Sequence, residues 1–163
     1  MKAKYAVLVV MLLLAGVAVT QLRRQAVAQV GEAQAAAVRK VLDDQAAAWN
    51  RGDLEGFMAG YAKGDELKFY SDDQVTSGWQ STFDRYKKRY QSDGAEMGKL
   101  VFRDLEIEVL SADAAFARGR WHLTRSKDAP HGLFTLLLKR TKDGWRVVHD
   151  HTSAAKPPEK KPE

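Results

Sequence analysis

The chain has no cysteine. A disulfide framework, a thiolate metal site, a cysteine nucleophile and a lipid-modified cysteine are therefore all excluded. A clustered excess of one charge is missing as well, although the formal net charge is +5. Lys2, Lys4, Arg23 and Arg24 lie before Gln29, and beyond Ala155 the tail sets Lys156, Lys160 and Lys161 against Glu159 and Glu163. These two ends hold the whole surplus, so the stretch between them is neutral. A phosphate-binding surface needs Lys and Arg in excess, and no nucleic-acid partner is expected. There is no P-loop, no Rossmann glycine pattern, no G-x-S-x-G, no H-E-x-x-H and no internal repeat. With only four histidines and no thiolate, His149 and His151 as alternating strand neighbours are a weak case for metal, and neither metal nor cofactor is expected.

What is present starts with an amino-terminal pattern. Lys2 and Lys4 precede an apolar run from Tyr5 to Val19, and Ala26 and Ala28 offer a small-residue cleavage site before Gln29. This reads as a signal peptide over residues 1–28, hence a periplasmic or secreted protein. A cut after Ala18 is the other reading of the same stretch. The run is shorter than the ~20 residues of a typical span, yet Arg23 and Arg24 delay the proposed cut, so a membrane anchor over residues 5–19 stays open. Membrane contact is expected only if that segment is uncleaved. Residues 29–155 are enough for one domain with its own core. Residues 156–163 are charged and Pro-rich, a composition that predicts disorder.

Periodicity supplies the elements. Val38, Val41, Leu42, Gln45 and Trp49 share one face of a helix beginning near Glu32. Asn50 and Gly52 terminate it, and Asp53 caps a second helix whose face is Leu54, Phe57, Met58 and Tyr61. A short strand with Leu67, Phe69 and Ser71 on one side leads to a turn at Ser71-Asp72-Asp73. A third helix from Gly78 aligns Trp79, Phe83, Tyr86 and Tyr90, leaving the cations Arg85, Lys87, Lys88 and Arg89 largely to solvent. Apolar positions change phase between Phe102 and Leu105, which predicts a β-bulge near Arg103. Strands then follow over 114–125 and 133–140, the second apolar on both faces as if covered on both sides. Asp143-Gly144 turns the chain into a last strand, Trp145–Thr152.

In this order, the W-N-x-G-D-L-x-G-F stretch from Trp49, the Gly78-Trp79 helix start and the closing G-W-x-V-V-H-x-H-x-S from Gly144 resemble the nuclear transport factor 2-like superfamily, in particular its SnoaL-like and DUF4440 members. The resemblance covers about Glu32 to Ser153. It implies an α+β cone in which three N-terminal helices pack in the concave face of a strongly bent, mainly antiparallel sheet, with a pocket at the wide end; a homodimer is expected as the working form.

The last strand holds the densest polar cluster. Alternation puts His149 and His151 with Trp145 and Val147 on one face, and Asp150 and Thr152 with Arg146 and Val148 on the other. The H-x-H-x-S ending is similar to that of the association domain of calcium/calmodulin-dependent kinase, another branch of the superfamily. There the positions matching Thr152 and His122 hold a small carboxylate, which implies that His122, Thr152, Asp150 and Arg120 line the cavity here. Thr152 and Leu136 stand where that relative has basic residues, so its carboxylate site is not inherited. In the steroid isomerase and polyketide cyclase branches a pocket carboxylate removes a proton next to a carbonyl. By that resemblance Asp150 is the candidate base, His122 a candidate partner, and Tyr61, Tyr86 and Trp79 candidate donors. The structural alternative pairs Asp150 with Arg120 or Arg118 across the sheet. Three functions remain open: a pocket for a small, partly apolar ligand, a cofactor-free isomerase, dehydratase or cyclase, and a structural oligomerisation module. Arg51-Gly52-Asp53 spells an adhesion tripeptide, but each residue is explained by the helix junction.

Overall fold

The computed structural model of the chain describes residues 2–155, with side chains from residue 20 onward together with that of Ala18. Two compact units divide it, residues 1–34 and 35–163. Helix α1 spans Lys2–Asn50 and contributes to both. Its start is far earlier than the one expected near Glu32. No proline interrupts the segment, and Gly31 within an Ala-rich stretch costs only ~1 kcal/mol, too little to stop a helix. In the first unit the side chains of residues 20–30 are exposed. Among the described residues no helix is long and apolar enough to cross a membrane. Of the apolar run 5–19 all side chains but that of Ala18, and the whole of the tail expected over 156–163, lie outside the described residues.

In the second unit α1 buries Val38, Leu42, Gln45, Ala48 and Trp49 along one stripe. It ends where the sequence predicts, with Gly52 at φ 82° donating to Trp49 O. Asp53 then caps α2 (Leu54–Met58) by accepting from Gly56 N at 2.7 Å, and ion-pairs with Arg51 at 2.6 Å. The adhesion-like tripeptide is thus a helix junction. Helix α2 stops at Met58 and does not continue to Tyr61. Backbone pairing wins over helix periodicity here: Val147 N donates to Gly60 O and Ala62 N to Val147 O, both at 2.9 Å, bridging Tyr61 to the sheet. Gly60 permits this approach, because a Cβ there would lie 2.5 Å from the buried Gln45 side chain.

Strand β1 (Lys68–Ser71) turns at Asp72, φ 56°, into β2 (Gln74–Ser77), a strand not anticipated from the sequence. Helix α3 (Trp79–Tyr90) follows, then β3 (Lys99–Val109), β4 (Ala114–Thr124), β5 (His131–Thr141) and β6 (Gly144–Thr152). The six strands form one curved sheet in the order β2-β1-β6-β5-β4-β3. Only the β1/β6 pair is parallel. The helices pack in its concave face, giving the α+β cone.

Two irregularities shape the sheet. In β3 the register slips between Arg103 and Glu106, with Asp104 at φ 51°, which is the bulge read from the phase change. A second slip separates Leu137↔His149 from Leu138↔Val147, leaving Val148 as an extra residue in β6. This one was not expected, and it corrects the alternation. Trp145 and Val147 are buried on the same side as Asp150, while His149 and His151 face away. Strand β5 is also corrected: Phe134, Leu136 and Leu138 are buried, but Leu133 is 52% exposed, so only its concave face is covered among the described residues.

The end of α1 is clasped to β3, an edge of the sheet. Asn50 Nδ2 donates to Leu100 O at 2.9 Å and Leu100 N donates to Asn50 Oδ1 at 2.6 Å, so one carboxamide imitates a neighbouring strand. Lys99 Nζ caps the helix at Asn50 O, and Trp49 Nε1 reaches Met97 O. Asn50→Ala is expected to lower stability by ~1–3 kcal/mol in equilibrium urea unfolding. Asn50→Asp should fall as well, because it loses the donor and sets a carboxylate against Leu100 O. Parental stability in both variants would show that the clasp contributes nothing.

Candidate functional site

The concave face and the helices enclose a cavity of about 130 Å³. Its walls are mostly aromatic and aliphatic: Trp49 from α1, Phe57 from α2, Tyr86 and Tyr90 from α3, and Phe102, Trp121, Leu123, Phe134 and Leu136 from β3 to β5. Edge-to-face contacts hold this wall in place, with Trp49 centroids 5.0 Å from Phe57 and 4.8 Å from Tyr90. Ser71, Asp72, Arg85, Arg89, Asp150 and Thr152 add the polar part.

Asp150 is the centre of that polar part. Strand β6 sets it between Phe69 of β1 and Leu136 of β5, and it is only 5% exposed. Tyr61 Oη donates to its Oδ2 at 2.8 Å, while Oδ1 is buried with no hydrogen-bond partner among the described residues. Burial pushes the carboxyl up from its usual 3.8 to about 7, against the opposing pull of the Tyr61 hydrogen bond and the Arg85 charge. No ion pair offsets the burial: Arg118 is taken by Glu106 at 2.6 Å and Arg120 by Asp104 at 3.2 Å. The structural pairing considered for Asp150 is therefore absent. Tyr61 and Tyr86 are both held well above the usual phenol range, first by burial and then by the Asp150 charge, so both remain protonated donors. Near neutral pH the cavity thus offers one carboxyl able to hold or release a proton beside two phenols.

Of the residues singled out from sequence, Tyr61, Tyr86, Asp150 and Thr152 meet in the cavity. Trp79, Arg120 and His122 do not. Trp79 stacks on Phe83 and donates to Met58 O, fastening α3 to α2. On β4 the residues facing the cavity are Trp121 and Leu123, which puts Arg120 and His122 on the convex side. His122 stacks there on His131 with centroids 5.3 Å apart, and desolvation followed by the Arg103 charge holds its imidazole below the usual 6.5. His149 and His151 pack against Tyr70 on that same side, and no group of three potential metal ligands gathers among the described residues. Arg85 is the reverse case, expected largely in solvent but half-buried in the cavity wall, while Arg89 borders the cavity and stays exposed as expected. Their i, i+4 spacing along the edge of the aromatic stripe was the signal.

A family model described as a SnoaL-like domain matches residues 38–157. Among solved structures, an NTF-2 like protein of unknown function from Shewanella oneidensis is 41% identical, with a TM-score of 0.67, over 72% of this chain and 96% of that one. An NTF2-like protein of unknown function from Pseudomonas putida is 21% identical, with a TM-score of 0.64, over 78% and 91%. A ketosteroid isomerase-like protein from Erwinia carotovora is 19% identical, with a TM-score of 0.59, over 76% and 98%. The last two share the fold. No curated protein matches the chain.

The Asp150 carboxyl sets a pH signature. Between 3.8 and about 7 the unfolded chain has released this proton while the folded chain still holds it, so Asp150 makes stability fall as pH rises through that window. Asp150→Asn lacks this dependence. Its stability relative to the parent should improve from low to neutral pH by on the order of 3–4 kcal/mol, read by urea unfolding across the window. In Tyr61→Phe the hydrogen bond that favours the ionised form is gone, and carboxyl ¹³C shifts should place the Asp150 titration higher still. An Asp150 that titrates near 4 in the parent would refute the assignment.

Proposed function

The chain belongs to the SnoaL-like domain family, and from that premise we propose that it binds a small, partly apolar molecule in the cavity of the cone, with Asp150 as the polar contact. One observation carries this reading: a buried carboxyl with an unpartnered Oδ1 at a cavity whose walls are mostly aromatic and aliphatic. Leaving a buried acceptor unpaired costs ~1–3 kcal/mol. A ligand hydroxyl, amide or amine that meets Oδ1 removes that cost. Apolar walls with few convergent polar groups are the general character of small-molecule sites.

A second reading is favoured by the carboxyl standing near about 7 beside two phenols. Asp150 would take a proton from carbon next to a substrate carbonyl, and Tyr86, whose hydroxyl meets that of Tyr61 rather than Asp150, would stabilise the enolate by donating to its oxygen. His122 has no part in this chemistry because it lies on the convex side. This is the isomerase, dehydratase or cyclase class.

Two further proposals accompany the pocket. The Lys2, Lys4 and Tyr5–Val19 pattern supports export by a signal peptide or retention by an anchor. A second copy of the chain is the proposed cover for the convex face, which carries the Tyr70, His149 and His151 cluster on β1 and β6 and exposed Leu133 on β5 and Val101 on β3.

Trp49 and Trp121 both border the cavity, so occupancy is expected to change tryptophan emission. Native mass spectrometry of protein from its own host should show a retained small molecule, a subunit pair and the mature amino terminus. Asp150→Asn should weaken the retained molecule's binding about tenfold, the loss of one hydrogen bond. If Asp150 is a base, turnover should fall by about 10² or more while binding persists. A folded variant that is unchanged in both measurements would leave only an oligomerisation role. Leu133→Glu should yield monomers in sedimentation, and an unaffected pair would place the contact elsewhere.

A further inference from the structure

We propose that the cavity ligand is a small amphipathic organic anion, a single-ring or short-chain carboxylate, with its charge held by Arg85 and Arg89 and its apolar body among the aromatic walls. This rests on the pocket reading and names the ligand class for that site. Arg85 and Arg89 stand one turn apart on α3 and both border the cavity. Like charges at that spacing repel, and an acid between them would normally relieve it. None does. The ion pairs among the described residues involve other cations, and neither guanidinium is within pairing distance of a carboxylate.

Arg85 is also held in place. Its Nη1 donates to Thr76 Oγ1 at 3.0 Å and its Cζ lies 5.1 Å from the Phe69 ring centroid, leaving the rest of the fork unassigned. A guanidinium fixed by stacking with free N–H groups is suited to receive a carboxylate in the bidentate manner. Arg89 is exposed at the cavity's border, with its guanidinium 5.6 Å from the Tyr90 ring centroid. Two acids border the cavity as well. Asp72 is exposed on the β1–β2 turn, and Asp150 is uncharged whenever it keeps its proton, so an anion meets a net positive edge. The cavity volume of about 130 Å³, a little under the roughly 150 Å³ of a cavity that admits benzene, limits the apolar body to one ring or a short chain and leaves the carboxylate at the arginine edge.

Benzoate and its neutral analogue benzamide are the probes, titrated against the full chain by calorimetry and tryptophan emission. Benzoate should bind at least tenfold more tightly than benzamide. Arg85→Gln and Arg89→Gln, each checked for an unchanged thermal transition, should reduce benzoate affinity severalfold and leave benzamide unaffected. If both probes bind equally, or if neither substitution distinguishes them, the anion assignment is wrong while the pocket reading stands on the neutral probe. Absence of binding by either probe overturns the assignment, and a cavity that retains no molecule from the host then removes the pocket reading too.

Discussion

One extra residue in β6 decides what the cavity contains. Strict alternation from the buried Trp145 and Val147 would carry His149 and His151 inward and turn Asp150 to the outside. The slip at Val148 reverses that phase, so two consecutive valines are buried and the acid follows them into the concave face. The same stretch of β6 donates to Gly60 O and accepts from Ala62 N through Val147, and that contact delivers Tyr61 to Asp150. Acid and donor are therefore placed by one local feature.

The chain distributes its charges unevenly in energetic terms. The ion pairs at Arg118, Arg120 and Lys40 are on exposed side chains, where each contributes little. Among the described residues the one deeply buried acid, Asp150, has no counter-ion and retains its proton to higher pH instead. A core built for stability alone would set an apolar residue beside Phe69 and Leu136. The acid remains as a destabilising element facing a cavity, the combination in which perturbed carboxyls serve binding or proton transfer.

Legibility from sequence followed the strength of the local pattern. The Trp49–Leu54 junction was readable because Gly52 and Asp53 do what such residues do at helix ends anywhere. The α3 stripe was readable from four aromatics at helical spacing, and the β3 bulge from a visible change of phase. The β6 bulge was hidden because Val147 and Val148 are both apolar, so either parity fits the residues. Tyr61 continued a helical stripe perfectly well, and only a tertiary contact with Val147 took it out of the helix. Arg120 and His122 lie on the face opposite to the one the resemblance to a relative implies, whereas Arg85 sits in a run of helix cations, a pattern that most often marks a solvated face. Beyond the fold, the similarity to solved structures shows no activity, so the chemistry rests on these few side chains.

The clasp at Asn50 has a further consequence for how copies of the chain meet. Strand β3 ends the sheet and would present unpaired backbone groups to any extended segment nearby. Asn50 occupies those groups at Leu100, Asp104 kinks the strand, and Glu106 and Glu108 charge the remainder. Edge-to-edge continuation of the sheet is thereby discouraged, and uncontrolled strand exchange between molecules is closed off on that side.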